Sequence, residues 1–444
     1  MTWLARQLGF RLIGPLLVIG VAGCSAATPS VSQTPSVQPS ATSSHGPAVS
    51  ASPEISPCPT APAAAWNRLC WSAPVTLPNA LFINDVVTFG GQLYAVGAAR
   101  AIDGTQEVAL WRSNDGAIWT LLTQGGATFA DAQVRQLLAT QSGLVAWGSV
   151  GQPICTGSGE GETCGPLPEM VWTSPDAATW TKIAAGSMFA GGTISAVTIG
   201  PLGLVAVGDT GWDKPAIWLS DSGAAWRTLS LPSSTFAHAH FYSVRATGSG
   251  YVLAGSVGGT APISGGMAAP STGVAAGWWS PDGLTWTKAT LQRSGGVGAS
   301  LGGLSVGAQG LVAVGSESGG KSGALGWISS DGRAWRPAAL LYAGAPSAAP
   351  DEPTIPAMGV CDDGTHLLGL DVDSLLVLRL WISSDGISWH QLPSTGATDT
   401  IPMSPGEVGS ARYSDVFLVP GGLVVTGFGP QGSPVLMWHV IAGQ

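Results

Sequence analysis

Asp115, Asp176, Asp282, Asp331 and Asp385 each stand between two tryptophans eight positions apart. An acid framed by aromatic rings is where general acid–base chemistry is first sought. The chain supplies its own control, because the stretch recurs. It reads "WRSNDGAIW" from Trp111, "WTSPDAATW" from Trp172, "WLSDSGAAW" from Trp218, "WWSPDGLTW" from Trp278, "WISSDGRAW" from Trp327 and "WISSDGISW" from Trp381. One reaction does not need six copies of its acid. The copies also interchange freely: Ala177 replaces the glycine of the first copy, and Ser222 replaces its aspartate. The five aspartates are therefore read as structural. Each carboxylate accepts hydrogen bonds from backbone N–H groups of its own turn, the serine does likewise, and the indoles are buried between neighbouring units.

Two other acids offer more. Asp85 and Asp415 each precede a repeated Leu (Leu93, Leu423) by eight residues, in units that adjoin if the chain closes on itself. Two carboxylates facing one cleft are what a glycosidase requires, and Arg135, Tyr242 and Arg412 are expected near them. The other units carry Gln136, Ala196, Ser243, Gly303 and Ala357 at that place. The five residues are thus read as one polar sector for binding, with no catalytic residue assigned, and the competing role is hydrogen bonding that orders strand ends. "HAH" at His238 to His240 puts two imidazoles on one side of a strand, but no third ligand is near in sequence. No metal and no cofactor are assigned.

The elements that would position these residues follow from a second repeat. Apolar runs flanked by glycine end at Gly97, Gly148, Gly208, Gly255, Gly315, Gly369 and Gly427. A period of about 50 residues without a 3.6-residue pattern is the mark of propeller blades. Within a unit, "INDVVTF", "LYAVG", "ALWRS" and "WTLL" read as four short strands, with Asp-Gly supplying the positive-φ turn. At the end "VLMWHV" brings a strand with the first Trp, Trp438, and near the start "LCWSAPVTLP" brings one with the second, Trp71. The expected fold is all-β: a seven-bladed β-propeller of four-stranded antiparallel blades, with N- and C-terminal strands sharing one blade. The Trp-flanked turns fall at one end of every blade. At the other end the connectors vary, from 10 residues (Gly208 to Trp218) to 24 (Gly148 to Trp172), and variable loops on a rigid scaffold are where binding resides.

The turn resembles the Asp-box, or bacterial neuraminidase repeat, Ser-x-Asp-x-Gly-x-Thr-Trp. Here it is one residue shorter, as in Ser383, Asp385, Gly386 and Trp389. The resemblance implies a propeller of the sialidase-like kind, shared by sialidases, xyloglucanases, sortilin-like receptors and photosystem assembly factors, so it implies fold and not activity. A sialidase would carry an Arg-Ile-Pro signature and an arginine triad. No "RIP" occurs, and only 11 arginines follow residue 23.

Residues 1–23 read as a signal peptide: Arg6 and Arg11, an apolar run, then Val21-Ala22-Gly23 before Cys24. Those four residues resemble the bacterial lipobox, which implies lipidation of Cys24 and anchoring on the extracytoplasmic face of a membrane. Residues 24–65 are the lipidated cysteine and a Ser/Thr/Pro-rich tether that cannot bury a core, and 66–444 form the propeller. Beyond residue 23 there are 15 basic and 26 acidic residues, so nucleic acid is not an expected partner. Cys155 and Cys164 bracket a Gly-rich connector and are expected to form a disulfide in an exported chain. Pairing among Cys58, Cys70 and Cys361 stays open. The functional expectation is a monomeric cell-surface lipoprotein recognising a protein or a glycan through its loop-rich face. A sialidase-like hydrolase and a membrane-associated assembly factor are the alternatives.

Overall fold

The computed structural model describes residues 68–72, 75–152, 155–156, 163–164, 167–183, 189, 192–211, 213–258, 273–292, 299–307, 310–317, 324–338, 359–362, 367–372, 378–385, 390–392, 394–396, 412–419, 422–428 and 435–443. Apart from a 3-10 turn (Ala127–Phe129) and a four-residue helix (Ser233–Phe236), the regular structure among them is strand.

The first sheet runs Ala80–Phe89, Gln92–Arg100, Gln106–Ser113 and Trp119–Gln124, each strand antiparallel to the next. Four-stranded antiparallel order repeats in sheets beginning at Ala132–Thr140, Thr193–Gly200, Ala239–Thr247, Ala299–Gly307 and Gly359–Asp362. The Gly-ended apolar runs lie second in order. They are flanked by strands on both edges and by neighbouring sheets on both faces, which is why they read as unbroken hydrophobic runs. In the first sheet every residue from Leu93 to Ala99 is buried.

First strands of successive sheets lie side by side, first with second, third with fourth, fourth with fifth and fifth with sixth. Apolar clusters join sheet to sheet. Tyr94 and Leu110 pack with Trp172, Val145 and Trp147 with Trp218, Val205 and Ile217 with Trp278, and Val252 and Ala254 with Trp327. Sheets packed face to face with their first strands innermost make a β-propeller.

A further sheet unites the two ends of the described chain. Arg412–Val419, Gly422–Phe428 and Val435–Gly443 follow in order, and Arg68–Trp71 pairs antiparallel with the last, Cys70 opposite Ile441. Val75–Thr76 continues that edge against Met437 and Leu436. This sheet packs on the first: Phe417, Val424 and Met437 share a core with Trp111 and Leu77. Two connectors add a parallel outer strand that the sequence did not announce, Ser394–Gly396 on Arg68–Trp71 and Thr290–Leu291 on Ala334–Ala338.

Each Trp-flanked turn fixes itself. Ser113 Oγ accepts Gly116 N–H at 2.8 Å, while Asp115 Oδ1 accepts Ala117 and Ile118 N–H at 2.9 and 3.0 Å. The same pattern holds Asp176 and Asp282. The second indole donates to the carbonyl three residues back, from Trp119, Trp180, Trp226, Trp286 and Trp335 alike. The first indole reaches the segment that enters the sheet: Trp111 donates to Pro78 O, Trp172 to Thr128 O and Trp278 to Thr235 O. A phenylalanine from that segment packs on the tryptophans, Phe129 on Trp172 and Trp180, and Phe189 on Trp218 and Trp226.

A β-bulge interrupts the first strand at one equivalent place, between Ile83 and Asp85, Val134 and Gln136, Ile194 and Ala196, Phe241 and Ser243, and Leu301 and Gly303. The bulge explains the terminal glycine of the apolar runs. A Cβ on Gly97, Gly148, Gly208, Gly255 or Gly315 would lie 1.8–2.0 Å from a carbonyl oxygen of the bulged strand. The sixth sheet differs. Its first hairpin is shorter, Cys361 faces Leu368 without a bulge, and the place assigned above to Ala357 belongs to Cys361. The eight-residue spacing failed there because the hairpin lost residues from both arms. Gly208→Ala is expected to cost about 3 kcal/mol or more by forcing the Thr193 carbonyl aside. Gly248→Ala, with nothing within 4 Å of the added Cβ, is expected to stay within about 0.5 kcal/mol of the parent. Denaturant melts of the two variants check both.

Candidate recognition face

The bulges sit toward the end of the sheets that carries the long connectors, and a bulge re-aims a side chain. The extra residues are Asn84, Arg135, Ser195, Tyr242 and Gly302, with Ser414 at the same place in the end sheet. Asn84 donates to Val134 O of the next sheet at 2.6 Å. Arg135 pairs with Glu169 of its own sheet. Tyr242, 38% exposed, bonds Ser256 Oγ at 3.1 Å.

Asp85 is buried, and its oxygens accept main-chain N–H groups: Oδ1 from Val86 at 2.8 Å, Oδ2 from Leu137 of the next sheet at 2.9 Å. The Leu137 bond ties one innermost strand to its neighbour's open edge. Thr198 Oγ1 does the same for Ala246 N–H, and Arg245 Nε donates to Leu304 O. Asp85, Arg135 and Tyr242 thus go to three different sets of partners. The main chain of Arg412 and Asp415 lies in Arg412–Val419, but their side chains are outside the described residues.

The structure instead gathers a polar seam across the second, third and fourth sheets, at the connector end. Glu169, first residue of Glu169–Ser174, is buried beside Arg135 and accepts Ile194 N–H of the third sheet. Burial raises its carboxyl pKa against the lowering by Arg135 and the N–H donors, and the charge of Asp209 raises it further. Asp209 ends Gly203–Asp209, and burial raises its carboxyl as well. His240, on the fourth sheet, feels the charges of Asp209 and Asp213, yet burial lowers its imidazole. Asp213 accepts His238 across the same boundary at 2.5 Å. Both residues of that pair have positive φ, 62° and 55°; Asn79 and Asp131 share this conformation just before their first strands. Among the described residues no three of His, Cys, Asp and Glu surround a point that could hold a metal ion.

Glu169, Asp209 and Asp213 escaped the sequence reading, although a signal existed for two of them. Asp209 follows the terminal glycine where other copies carry Ala98, Ser149, Ser256 or Ser316, and Glu169 stands where they carry Val108, Pro215, Ala275 or Ala324. An acid breaking an apolar or small column marks a local demand for charge. Glu169 thus lies at the boundary of the second and third sheets, and Asp209 and His240 face each other across that of the third and fourth.

The opposite end presents the turns, whose carboxylates are already used. Backbone N–H donors hold Asp115, Asp176 and Asp282 below the usual carboxylate range, Ile118, Thr179 and Thr285 contributing most. Asp331 accepts Arg333 N–H, and Asp385 is reached by Ser383 Oγ at 3.0 Å. A cleft of about 220 Å³ opens at this end beside Ser142, Ser174 and Ser222. It falls below the ~300–1,000 Å³ of small-molecule sites. In the connector between the second and third strands of the second sheet, Cys155–Thr156 pairs with Thr163–Cys164, the two cysteines directly opposite. Their side chains are outside the described residues, but opposite residues of an antiparallel pair have Cα atoms about 4.5–5.5 Å apart, the span of a disulfide.

No protein-family model matches the chain, and no curated protein matches it. Among solved structures it is similar to the Trypanosoma rangeli sialidase in complex with sialic acid at 14% identity and TM-score 0.41, covering 80% of this chain and 53% of that one. An ulvan lyase gives 13% identity and TM-score 0.48, covering 85% and 96%. The β-propeller domain of the Trilobed protease from Pyrococcus furiosus gives 9% and 0.46, covering 82% and 96%. The chain spans about half the length of the sialidase. At these identities and scores, no chemistry carries over from those proteins to this one.

The seam sets a pH dependence. His240 has a lowered folded value, so its contribution is present above the ordinary 6.5 and is lost as pH falls through the folded value. His439, packed on Gly116 and lowered by burial, acts in the same sense. Glu169 and Asp209 are raised and work oppositely, stability falling as pH rises from the ordinary carboxyl values. The melting temperature is expected to drop between pH 7 and 5.5, with a shallower slope in His240→Gln and in His439→Gln. Equal slopes in all three chains would contradict it. Intact-mass analysis after alkylation without reductant is expected to find Cys155 and Cys164 unmodified, and modified after reduction.

Proposed function

We propose that this chain is an exported lipoprotein, lipidated at Cys24 and tethered through residues 25–65. Its body is a seven-bladed propeller closed by the pairing of Arg68–Trp71 with Val435–Gly443, and it recognises an extracytoplasmic protein or glycan through its connector-rich end. The observation that carries the reading is the seam of Arg135, Glu169, Asp209, Asp213, His238 and His240. Three sheets contribute charged and titratable groups to two adjoining boundaries at that end, whereas the acids of the other end are spent on their own turns. A rigid ring with variable loops displays such a surface without ordering cost.

The hydrolase alternative is disfavoured by Asp85. A general acid or nucleophile needs a reachable oxygen, and this carboxylate is 2% exposed with each oxygen accepting a main-chain N–H. The assembly-factor alternative is a special case of protein recognition and is separated by the identity of the partner.

Cys24→Ala is expected to move the chain from the membrane fraction to the soluble one and to remove the acyl mass. Retention of both would refute the anchor. For recognition, a photo-crosslinking residue at Tyr242 is expected to capture a protein or glycan partner in intact cells. The same residue at Ile118, on a turn, is expected to capture none. Asp209→Ala should weaken capture at position 242 at least about tenfold, the order expected for removing one buried charged contact. Glycan-array binding decides between the two partner classes, and turnover of a fluorogenic sialoside would revive the hydrolase.

A further inference from the structure

The direction of one strand orients the molecule. Residues Arg68, Leu69 and Cys70 lie opposite Gly443, Ala442 and Ile441, and Ile441 lies opposite Gly422. Gly422 begins the second strand of its sheet, just after the hairpin from Val419. In the first sheet the corresponding hairpin, at Phe89 and Gln92, lies beside Ser113 and the Asp115 turn. That turn in turn touches the end sheet, since a Cβ on Gly116 would meet the His439 ring at 2.9 Å. Arg68 therefore enters the fold at the end that carries the Trp-flanked turns. Val75–Thr76, further along the same edge opposite Met437 and Leu436, lies toward the connector end.

We infer that the anchoring membrane faces the turn end of the propeller and that the connector-rich end, with its seam, looks away from it. The partner recognised there is then a macromolecule or glycan arriving from the aqueous side, and not the headgroups of the anchoring membrane. The inference rests on the proposed lipidation of Cys24, and the strand direction adds what that proposal leaves open. Its physics is a matter of reach. Only 43 residues separate Cys24 from Arg68, so the point at which the chain enters the body is the point held nearest the lipid. The eight residues of Gln106–Ser113 alone separate the two ends by roughly 25 Å. The body tumbles about its attachment, but the bilayer excludes every orientation that would drive it into the lipid. Averaged over the rest, the turn end stays nearer.

Ile102 and Ile118 lie beyond opposite ends of Gln106–Ser113 and are exposed, at 109% and 72%. Ile102→Cys and Ile118→Cys in the full lipidated chain, purified from membranes and labelled with a donor dye, are reconstituted into phosphatidylethanolamine–phosphatidylglycerol vesicles carrying a headgroup acceptor. The unsubstituted chain gives the background from native cysteines. Energy transfer from position 118 is expected to exceed that from 102 about twofold, the two ends of the sheet lying ~25 Å apart along the strand direction. Equal or reversed transfer overturns the inference. Failure of the chain to float with vesicles, with no transfer from either position, refutes the anchor itself and the inference with it. Leu284→Cys on another turn and Val274→Cys at the connector end, 44% and 38% exposed, repeat the comparison if either first variant fails to fold.

Discussion

The stacking of the sheets depends on what two tryptophans do to the segment that enters their sheet. The first indole donates to a carbonyl of that segment, as Trp172 does to Thr128. The second turns back on its own hairpin, as Trp180 does to Ala177. Phe129 packs on both. Burying a tryptophan stabilises by several kcal/mol, and truncating one costs about 3–5 kcal/mol. The two indole bonds leave little orientational freedom. Sheets held in this way grip the chain that arrives at them, which stacks local hairpins sheet on sheet.

A second constraint acts at the axis. The innermost strand of a sheet has an open edge, and buried N–H and C=O groups must be paired. Here the preceding sheet supplies side chains to that edge: Asp85 to Leu137, Asn84 to Val134, Thr198 to Ala246, Arg245 to Leu304. Polar residues near the axis are thus absorbed by the scaffold. The bulge belongs to the same design. It lets the strand bend, lifts Arg135 and Tyr242 out of the ladder, and makes the opposing residue glycine, because a carbonyl occupies the place of its Cβ.

Further charge lies in the seam at the connector end, where Glu169 accepts Ile194 N–H of the next sheet much as Asp85 accepts Leu137. In the seam, burial and pairing oppose each other: Glu169 is 5% exposed beside a guanidinium, yet its carboxyl is still raised. A buried ion pair of this kind contributes little net stability, and the same carboxylate also joins its sheet to the next through Ile194 N–H. The orientation proposed from the direction of Arg68–Trp71 would turn that charge toward the aqueous space.

The sequence alone determined the elements. Apolar runs closed by glycine, turns framed by tryptophan and the two part-motifs around Trp71 and Trp438 located strands such as Gln92–Arg100 and set Arg68–Trp71 beside Val435–Gly443. These are local signals, written by period and turn chemistry. The partnerships between sheets were decided only by tertiary structure, since Asp85 and Leu137 are 52 residues apart and no spacing rule joins them. The same holds for Glu169, whose meaning depends on Ile194 and Asp209 beyond the next boundary, and for the shortened hairpin that put Cys361 where spacing put Ala357. Periodicity tells a residue which strand it is in; only the packing of one sheet on the next tells its side chain what it will meet.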